Sequence, residues 1–288
     1  MELLLSTVLA QYDGPVVVVL NNVYDASDAV VSSNTTPYLD LVNGHARANT
    51  LLWLLAPEVR GLAMVRSEIV RRTAGHAGGV VIMDDDVKKF ALTTKTSTGG
   101  WVGEELSFSD VVRRLVAAGE QHTTAKVIGI YHLYRHVAVS ESESAVKSGL
   151  QHLSFQPMLV RLPSRVPKTL ACIWNHVEDD EFVWRVVMQY GEDAVLKLRY
   201  IVGSFDVGKM SGGLQSAGLS AAMEKQKREG EEIMLQHCDA FEWVKTSSGG
   251  SRTAGARVRL RADITQGHNI PGAAEAIEEA ANKRQARE

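Results

Sequence analysis

Residues 78–90 of this 288-residue chain read "GGVVIMDDDVKKF", in which an apolar run is followed directly by three aspartates. The run 80–83 predicts a buried β-strand. Adjacent carboxylates repel one another, so a cation or a set of donors must offset the charge of Asp84, Asp85 and Asp86. Two interpretations are open. The aspartates form a solvated turn after a strand, or they bind Mg²⁺ or Mn²⁺ together with a diphosphate at the carboxyl end of that strand.

The composition is that of an ordinary soluble globular protein, with 45% hydrophobic and 23% charged residues and a formal net charge of −3. Any binding of nucleic acid must therefore come from local basic patches. Cys172 and Cys238 form neither a metal-ligand spacing nor a disulfide framework, so we expect a reducing, cytoplasmic setting, or the host cytoplasm for a viral protein. The start "MELLLSTVLA" lacks the positive charge of a secretory signal, and no apolar run reaches the roughly 18 residues of a membrane span.

Strand-like and helix-like segments alternate along the first two thirds of the chain. The predicted strands are 15–22, 80–83, 125–132, 155–162, 195–203, 241–245 and 256–262. The predicted helices are 46–58, 66–74, 107–122, 179–191 and about 219–237, and the predicted loops include 93–105 and the glycine-rich 208–218. This order predicts an α/β fold with a mostly parallel sheet flanked by helices and a small additional antiparallel sheet.

A second acidic motif lies in "NHVEDDEFVWRVV" (175–187), where Glu178, Asp179 and Asp180 open a helix. Carboxylates at a helix N-terminus are stabilised by the helix dipole, which is the structural interpretation. The spacing also allows a catalytic one, because Arg185 follows Glu178 by seven residues and an acid at this point could act as a general base.

The two acidic motifs together resemble those of GT-A glycosyltransferases, in which Asp-x-Asp ends a strand and Glu-Asp begins a later helix. More narrowly, the chain is similar to the TET/JBP-associated DNA glycosyltransferases, bacteriophage and kinetoplastid enzymes that add sugars to 5-hydroxymethylpyrimidines in DNA. Three stretches carry the narrower resemblance: "MDDDVKKF", "KMSGGLQSAG" after a strand, and the order of a polar helix, "CDAFEWVK", a basic loop and "RVRLR". The resemblance covers about residues 15–262.

The resemblance implies a single GT-A, Rossmann-like domain over 1–265, with a donor half of about 1–92 and an acceptor half of about 93–265. Residues 266–288 are then a charged helical or flexible tail. The implied reaction is an inverting transfer of a hexose or pentose from a UDP-sugar to 5-hydroxymethylcytosine or 5-hydroxymethyluracil in DNA. Mg²⁺ or Mn²⁺ would stabilise the leaving UDP.

The resemblance also assigns roles to individual residues. Asp179 would be the general base, and Glu178 would orient it or hold a sugar hydroxyl. Asp84 and Asp86 would bind the metal, and Asp84 and Asp85 would contact the donor. A late histidine often completes such a metal site. The candidates are His237, His132 and His136, although a lone histidine is more often structural.

Two further groups of residues are assigned by their chemistry. The ammonium of Lys209 and the backbone N–H groups of Gly212 and Gly213 could bind phosphate or sugar, or the segment is a plain loop. Arg257, Arg259 and Arg261 alternate, so they share one strand face that could contact DNA phosphates. Lys245 and Arg252 lie beside them in the sequence, and Trp101 could stack on an unpaired base. The alternatives are a solvated strand face and an aromatic loop anchor.

Three other functions fit the same motifs. The first is the same transfer to a glycan, a protein or a small molecule, which the net acidic charge favours. The second is a metal-dependent nucleotidyltransferase, which would release pyrophosphate from a triphosphate. The third is a nucleic-acid-binding module without turnover, which a change of Asp179 to asparagine would leave functional.

Overall fold

The computed structural model describes residues 10, 12–20, 23–24, 30–32, 40, 50–59, 61–84, 87–95, 101–132, 146–148, 157–165, 178–205, 241–245 and 256–260. The strands are β1 (Val16–Leu20), β2 (Val23–Tyr24), β3 (Val30–Ser32), β4 (Thr50–Leu54), β5 (Val80–Ile82), β6 (Val87–Lys95), β7 (Trp101–Leu106), β8 (Val127–His132), β9 (Val146–Ser148), β10 (Met158–Val160), β11 (Val195–Phe205), β12 (Phe241–Lys245) and β13 (Ala256–Leu260). The helices are α1 (Gly61–Thr73), α2 (Phe108–Gln121) and α3 (Glu178–Tyr190), and a 3₁₀ turn (Glu192–Ala194) follows α3.

A seven-stranded mixed sheet forms the centre of the described fold. Its strand order is β5-β10-β8-β11-β6-β7, and β9 pairs with β11 beside β6. Five of its strand pairs are antiparallel, and only β8 and β11 run parallel. The prediction of a mostly parallel, Rossmann-like GT-A sheet is therefore wrong.

The alternation of helices and strands misled the prediction because it does not fix strand direction. β6 and β7 are joined by five residues, 96–100, and form an antiparallel hairpin where the sequence predicted one loop over 93–105. β10 runs antiparallel between β5 and β8, which reverses the direction in the middle of the sheet. A short connection such as 96–100 favours antiparallel pairing, whereas a parallel pair needs a long crossover.

The predicted helix over 46–58 is also wrong, because residues 50–54 form the strand β4. β4 pairs parallel with β1 in a separate two-stranded sheet. A short apolar run such as "TLLWL" fits a buried helix segment or a strand equally well, and only its pairing partner decides. The predicted strands at 241–245 and 256–262 correspond to β12 and β13, which pair antiparallel, as β2 and β3 also do.

The glycines that open the quoted stretch allow β10 to approach β5. Gly79 has a φ of 95°, and a Cβ at this position would lie 2.7 Å from the carbonyl oxygen of Val160. Any side chain there would be strained both by the backbone conformation and by this contact. Gly79, the residue before β5, thus permits the close approach of β10 at this point.

The helices cover both faces of the seven-stranded sheet. On β8, Val127 belongs to one buried cluster and Ile128 and Ile130 to the other, as expected for alternating side chains. α1 and α3 supply the first cluster, and we name that side the α1/α3 face. α2 supplies the second, which we name the α2 face. Such an arrangement buries apolar side chains on both faces of the sheet.

Ser107 caps the N-terminus of α2, within the stretch 107–122 that the sequence predicts to be helical. The Ser107 hydroxyl accepts a hydrogen bond from the Asp110 backbone N–H at 3.1 Å, and the Ser107 N–H donates to Asp110 Oδ2 at 3.3 Å. This reciprocal pair is a capping box, which satisfies two backbone donors at the start of the helix. The Ser107 hydroxyl beside Asp110 lowers the pKa of that carboxyl.

Candidate functional site

The first element of the candidate site is Asp84, which follows the end of β5. Its Oδ1 forms an ion pair with Nη2 of Arg66 from α1. The Arg66 side chain is 6% exposed and the Asp84 side chain 30% exposed. The guanidinium therefore supplies part of the positive charge that the acidic stretch requires. The spacing of α1 contains the signal, because Arg66 is three residues from the buried Ala63 and Ile69.

The described residues supply only part of the predicted metal site. Asp84 offers carboxylate oxygen, the donor type that Mg²⁺ and Mn²⁺ prefer. Asp85 and Asp86 lie outside the described residues. Over the described ranges, no three His, Cys, Asp or Glu residues are arranged to hold a metal ion. One hard ligand with an arginine beside it is therefore what the described chain contributes to a cation.

The second element is the start of α3, which begins at Glu178 as the acidic motif predicted. The side chain of Asp179 is half-buried. The backbone of Glu178 lies in the first turn, and its side chain lies outside the described part of the chain. Carboxylates in the first turn are favoured by the helix dipole, so the acidic start serves the helix whatever else it does.

A buried ion pair that neither acidic motif predicted joins two residues of α3. The Glu181 and Arg185 side chains are 1% and 2% exposed, and Glu181 Oε1 accepts hydrogen bonds from Nε and Nη2 of Arg185 at 2.8 and 2.7 Å. Arg185 was singled out for its distance from Glu178, but Glu181 binds it. The spacing of four residues predicts such a pair on a helix.

One buried cluster connects the two acidic elements. It contains Ile82 of β5 and Phe182 of α3, together with Ala63 and Ile69 of α1. Asp84 follows Ile82 by two residues, and Asp179 precedes Phe182 by three. Both acids are thus anchored from the α1/α3 face of the sheet.

A third polar element, also missed, is Lys197 on β11. The residue is 8% exposed, and its Nζ lies 4.6 Å from the centroid of the Tyr131 ring on β8. Such a distance is typical of a cation–π contact. The signal was present in "VLKLRYIVG" (195–203), where a lysine interrupts a run of apolar residues in a predicted buried strand.

A second lysine–tyrosine contact lies at the other end of β8. Lys126 precedes β8, and its Nζ lies 5.8 Å from the Tyr190 ring centroid at the end of α3. Burial of the hydroxyl raises the pKa of Tyr190. Lys126 is only partly buried, so this contact differs from that of Lys197 in its access to water.

The remaining predicted residues divide between described strands and residues outside the described part. Trp101 is the first residue of β7, paired with Lys95, rather than a loop residue. Arg257 and Arg259 lie on β13 opposite Val244 and Glu242. Lys245 ends β12 and His132 ends β8, and for both only the backbone is described. Outside the described residues lie Lys209, Gly212, Gly213, His237, His136, Arg252 and Arg261.

Comparison of the chain with protein-family models, with curated proteins and with solved structures finds no match. None of the described helices combines the length and apolar character needed to cross a membrane.

Proposed function

We propose that the protein is a metal-dependent transferase that moves a sugar from a UDP-sugar to the hydroxymethyl group of 5-hydroxymethylcytosine or 5-hydroxymethyluracil in DNA. The observation that carries the proposal is the pairing of Asp84 with Arg66 on the sheet face that also holds the acidic start of α3. The strand directions do not support it, because the sheet is mixed. The proposal therefore depends on the two acidic motifs and their surroundings.

The proposed chemistry needs few groups. The hydroxymethyl oxygen attacks the anomeric carbon of the sugar while Asp179 accepts the hydroxyl proton, and the bond from that carbon to the diphosphate oxygen breaks. A divalent cation held in part by Asp84 would supply positive charge for the departing UDP. Arg66 holds the Asp84 carboxylate, so that one ligand is already oriented before the cation binds.

The DNA acceptor is proposed from the basic residues of β13. Arg257 and Arg259 alternate along β13, so they share one strand face, as contact with phosphate oxygens requires. The strand register pairs Glu242 of β12 with Arg259 of β13. Binding to DNA should therefore weaken steeply with salt if the basic residues contact phosphates.

The transfer reaction itself is the test. Purified protein is incubated with a panel of UDP-sugars, Mn²⁺ and DNA that contains plain or 5-hydroxymethylated pyrimidines, and the nucleosides are weighed by mass spectrometry. We expect the mass of one sugar to be added only to the hydroxymethylated nucleoside. Release of UDP with unmodified DNA would reject the DNA acceptor. Pyrophosphate release from a nucleoside triphosphate would identify a nucleotidyltransferase and overturn the proposal.

Three single substitutions of aspartate by asparagine assign the roles. Asp179→Asn should lower the transfer rate by about 10²- to 10⁴-fold, because the proton acceptor is lost. Asp84→Asn should raise the Mn²⁺ concentration needed for half-maximal rate. Asp193→Asn is the matched control, because Asp193 is exposed in the 3₁₀ turn after α3, and it should transfer at the wild-type rate. Wild-type turnover by Asp179→Asn would contradict its role as the base.

A further inference from the structure

Lys197, the third residue of β11, is an unusual residue for a buried stretch of strand. Leu196 and Leu198 on either side belong to the apolar cluster of the α2 face. The side chain of Lys197 therefore points to the α1/α3 face, since successive side chains of a strand alternate. An ammonium is costly to bury, and an apolar residue would suit the position better for stability alone. A buried charged residue is the informative exception in such a strand, so its ammonium is a candidate for a functional role.

The strand register aligns Lys197 with the end of β5, the strand that Asp84 follows. Ile82 pairs with Met158, Met158 with Gly129, and Gly129 with Lys197, so these four residues form one row across the sheet. β5, β8 and β11 point in the same direction, because β10 is antiparallel to both β5 and β8, and β8 and β11 are parallel. β5 ends at Ile82 and β8 ends at His132, three residues past Gly129, whereas Lys197 is the third residue of β11. The row of Lys197 therefore lies at the edge of the sheet where β5 ends.

Tyr131 brings the ammonium of Lys197 toward that edge. Tyr131 lies two residues beyond Gly129, as Asp84 lies two residues beyond Ile82. The side chains of Tyr131 and Asp84 therefore lie on the same face, each two residues beyond the row that contains Gly129 and Ile82. Two strand spacings, or about 10 Å, separate them. The Lys197 Nζ lies 4.6 Å from the Tyr131 ring centroid. The lysine side chain therefore extends along the sheet in the direction in which Asp84 follows Ile82.

This end of the α1/α3 face thus combines the Asp84 carboxylate with the buried ammonium of Lys197. The two suit different parts of one ligand, since carboxylates bind a divalent cation and an ammonium binds phosphate oxygen. A cation-bound diphosphate has both parts. The low exposure of Lys197 strengthens its attraction to an anion, because little water screens the charge.

We propose that Lys197, aligned by the ring of Tyr131, binds the diphosphate of the nucleotide substrate at the end of the sheet that Asp84 follows. The inference rests on the proposed function for the identity of the nucleotide sugar. It adds a phosphate-binding residue that neither acidic motif contains. Tyr131 is a positioning residue, because it acts on the ligand only through the lysine.

The test is calorimetric binding of UDP in the presence of Mn²⁺ to the full chain. Lys197→Met should weaken UDP binding at least about tenfold, as expected for loss of a charged hydrogen bond. Lys197→Arg should retain more of the affinity because the positive charge remains. The melting temperature of Lys197→Met is measured alongside, to show that the variant is folded under the conditions of the titration.

Lys126→Met is the matched control, because Lys126 also contacts a tyrosine ring but lies at the opposite end of β8. Its affinity for UDP should be that of the wild type. Uridine, which lacks phosphate, should bind the wild type and Lys197→Met equally. UDP affinity within about twofold of the wild type for Lys197→Met, or an equal loss for Lys126→Met, would overturn the inference.

The outcomes separate this inference from the proposed function. UDP binding that depends on Lys197, without sugar transfer to DNA, would leave the diphosphate site standing and reject the transferase. Sugar transfer to DNA by the wild type, together with undiminished UDP affinity in Lys197→Met, would support the transferase and reject the diphosphate site. Absence of UDP binding by the folded wild type with Mn²⁺ present would overturn the diphosphate site. If Lys197→Met does not fold, Lys197→Arg and Tyr131→Leu carry the test, and wild-type UDP affinity in Tyr131→Leu would contradict the positioning role.

Discussion

The two faces of the seven-stranded sheet differ in the kind of side chain that they bury. The α2 face is closed by apolar side chains such as Val111, Leu115 and Ile128, each fully buried. All four charged side chains that are buried in the described part of the chain belong to the elements or the sheet face on the α1/α3 side. They are Arg66, Glu181, Arg185 and Lys197.

The difference indicates which face is built for stability and which for chemistry. Burying a charge costs free energy unless a partner of good geometry is present, and even a paired charge rarely improves on an apolar residue. The α2 face avoids that cost entirely over its described residues. The α1/α3 side buries four charged side chains, and one of them, Arg66, pairs with Asp84 after β5. Buried charges of this kind are candidates for functional sites.

The largest expected effect tests the cost of charge on the α1/α3 face. Glu181→Ala should lower the free energy of unfolding by about 3–5 kcal/mol, because Arg185 is left as a buried charge without its carboxylate. The double variant Glu181→Met/Arg185→Met should recover most of that loss. Urea denaturation of the wild type and both variants is the measurement. A double variant as unstable as Glu181→Ala would show that the charges themselves stabilise this face.

The matching test on the α2 face removes volume instead of charge. Leu115 is fully buried, and Leu115→Ala should lower the free energy of unfolding by about 2–5 kcal/mol, through lost burial and the cavity left behind. Affinity for UDP and Mn²⁺ should stay unchanged under conditions where the variant is folded. A loss of affinity in the folded variant would break the division of roles between the faces.

The smallest expected effect concerns the cap of α2. Ser107→Ala should cost about 1 kcal/mol of unfolding free energy at neutral pH. The pKa of Asp110 is lowered in the folded state, so its contribution is present above the ordinary carboxyl pKa and is lost as pH falls through the depressed value. Ser107→Ala should therefore show a weaker loss of stability on acidification. Equal acid sensitivity in the two proteins would mean that Ser107 is not the cause of the shift.

The sequence predicted most helices and strands of the described part, because their apolar periodicity is local. α2 with its Ser107 cap, α3 with its acidic start and β5 before the aspartates all follow from short stretches. Strand directions did not follow, because direction depends on which distant segments pair. The row from Ile82 to Lys197 spans 115 residues of sequence, so no local pattern could reveal it.

The sequence predicted the aspartates of the candidate site but not the basic residues near them. The aspartates were identified because three like charges at a strand end require an explanation. Their partner Arg66 was not, although its helical spacing from Ala63 and Ile69 puts it on the buried side of α1. Lys197 was overlooked because the strand was identified by its apolar residues. A charged residue inside an apolar strand is the informative exception, and it should be weighed before the pattern around it.

The central claim is that Asp84, which follows β5, contributes to a divalent-cation site on the α1/α3 face. The most direct measurement is paramagnetic broadening of isoleucine methyl signals by Mn²⁺, with Ile82→Val and Ile128→Val used to assign the two probes. The account predicts saturable broadening of the Ile82 signal well before that of Ile128, which faces α2, and a shift to higher Mn²⁺ in Asp84→Asn. Equal broadening of both signals, or broadening of Ile82 that Asp84→Asn leaves unchanged, would contradict it.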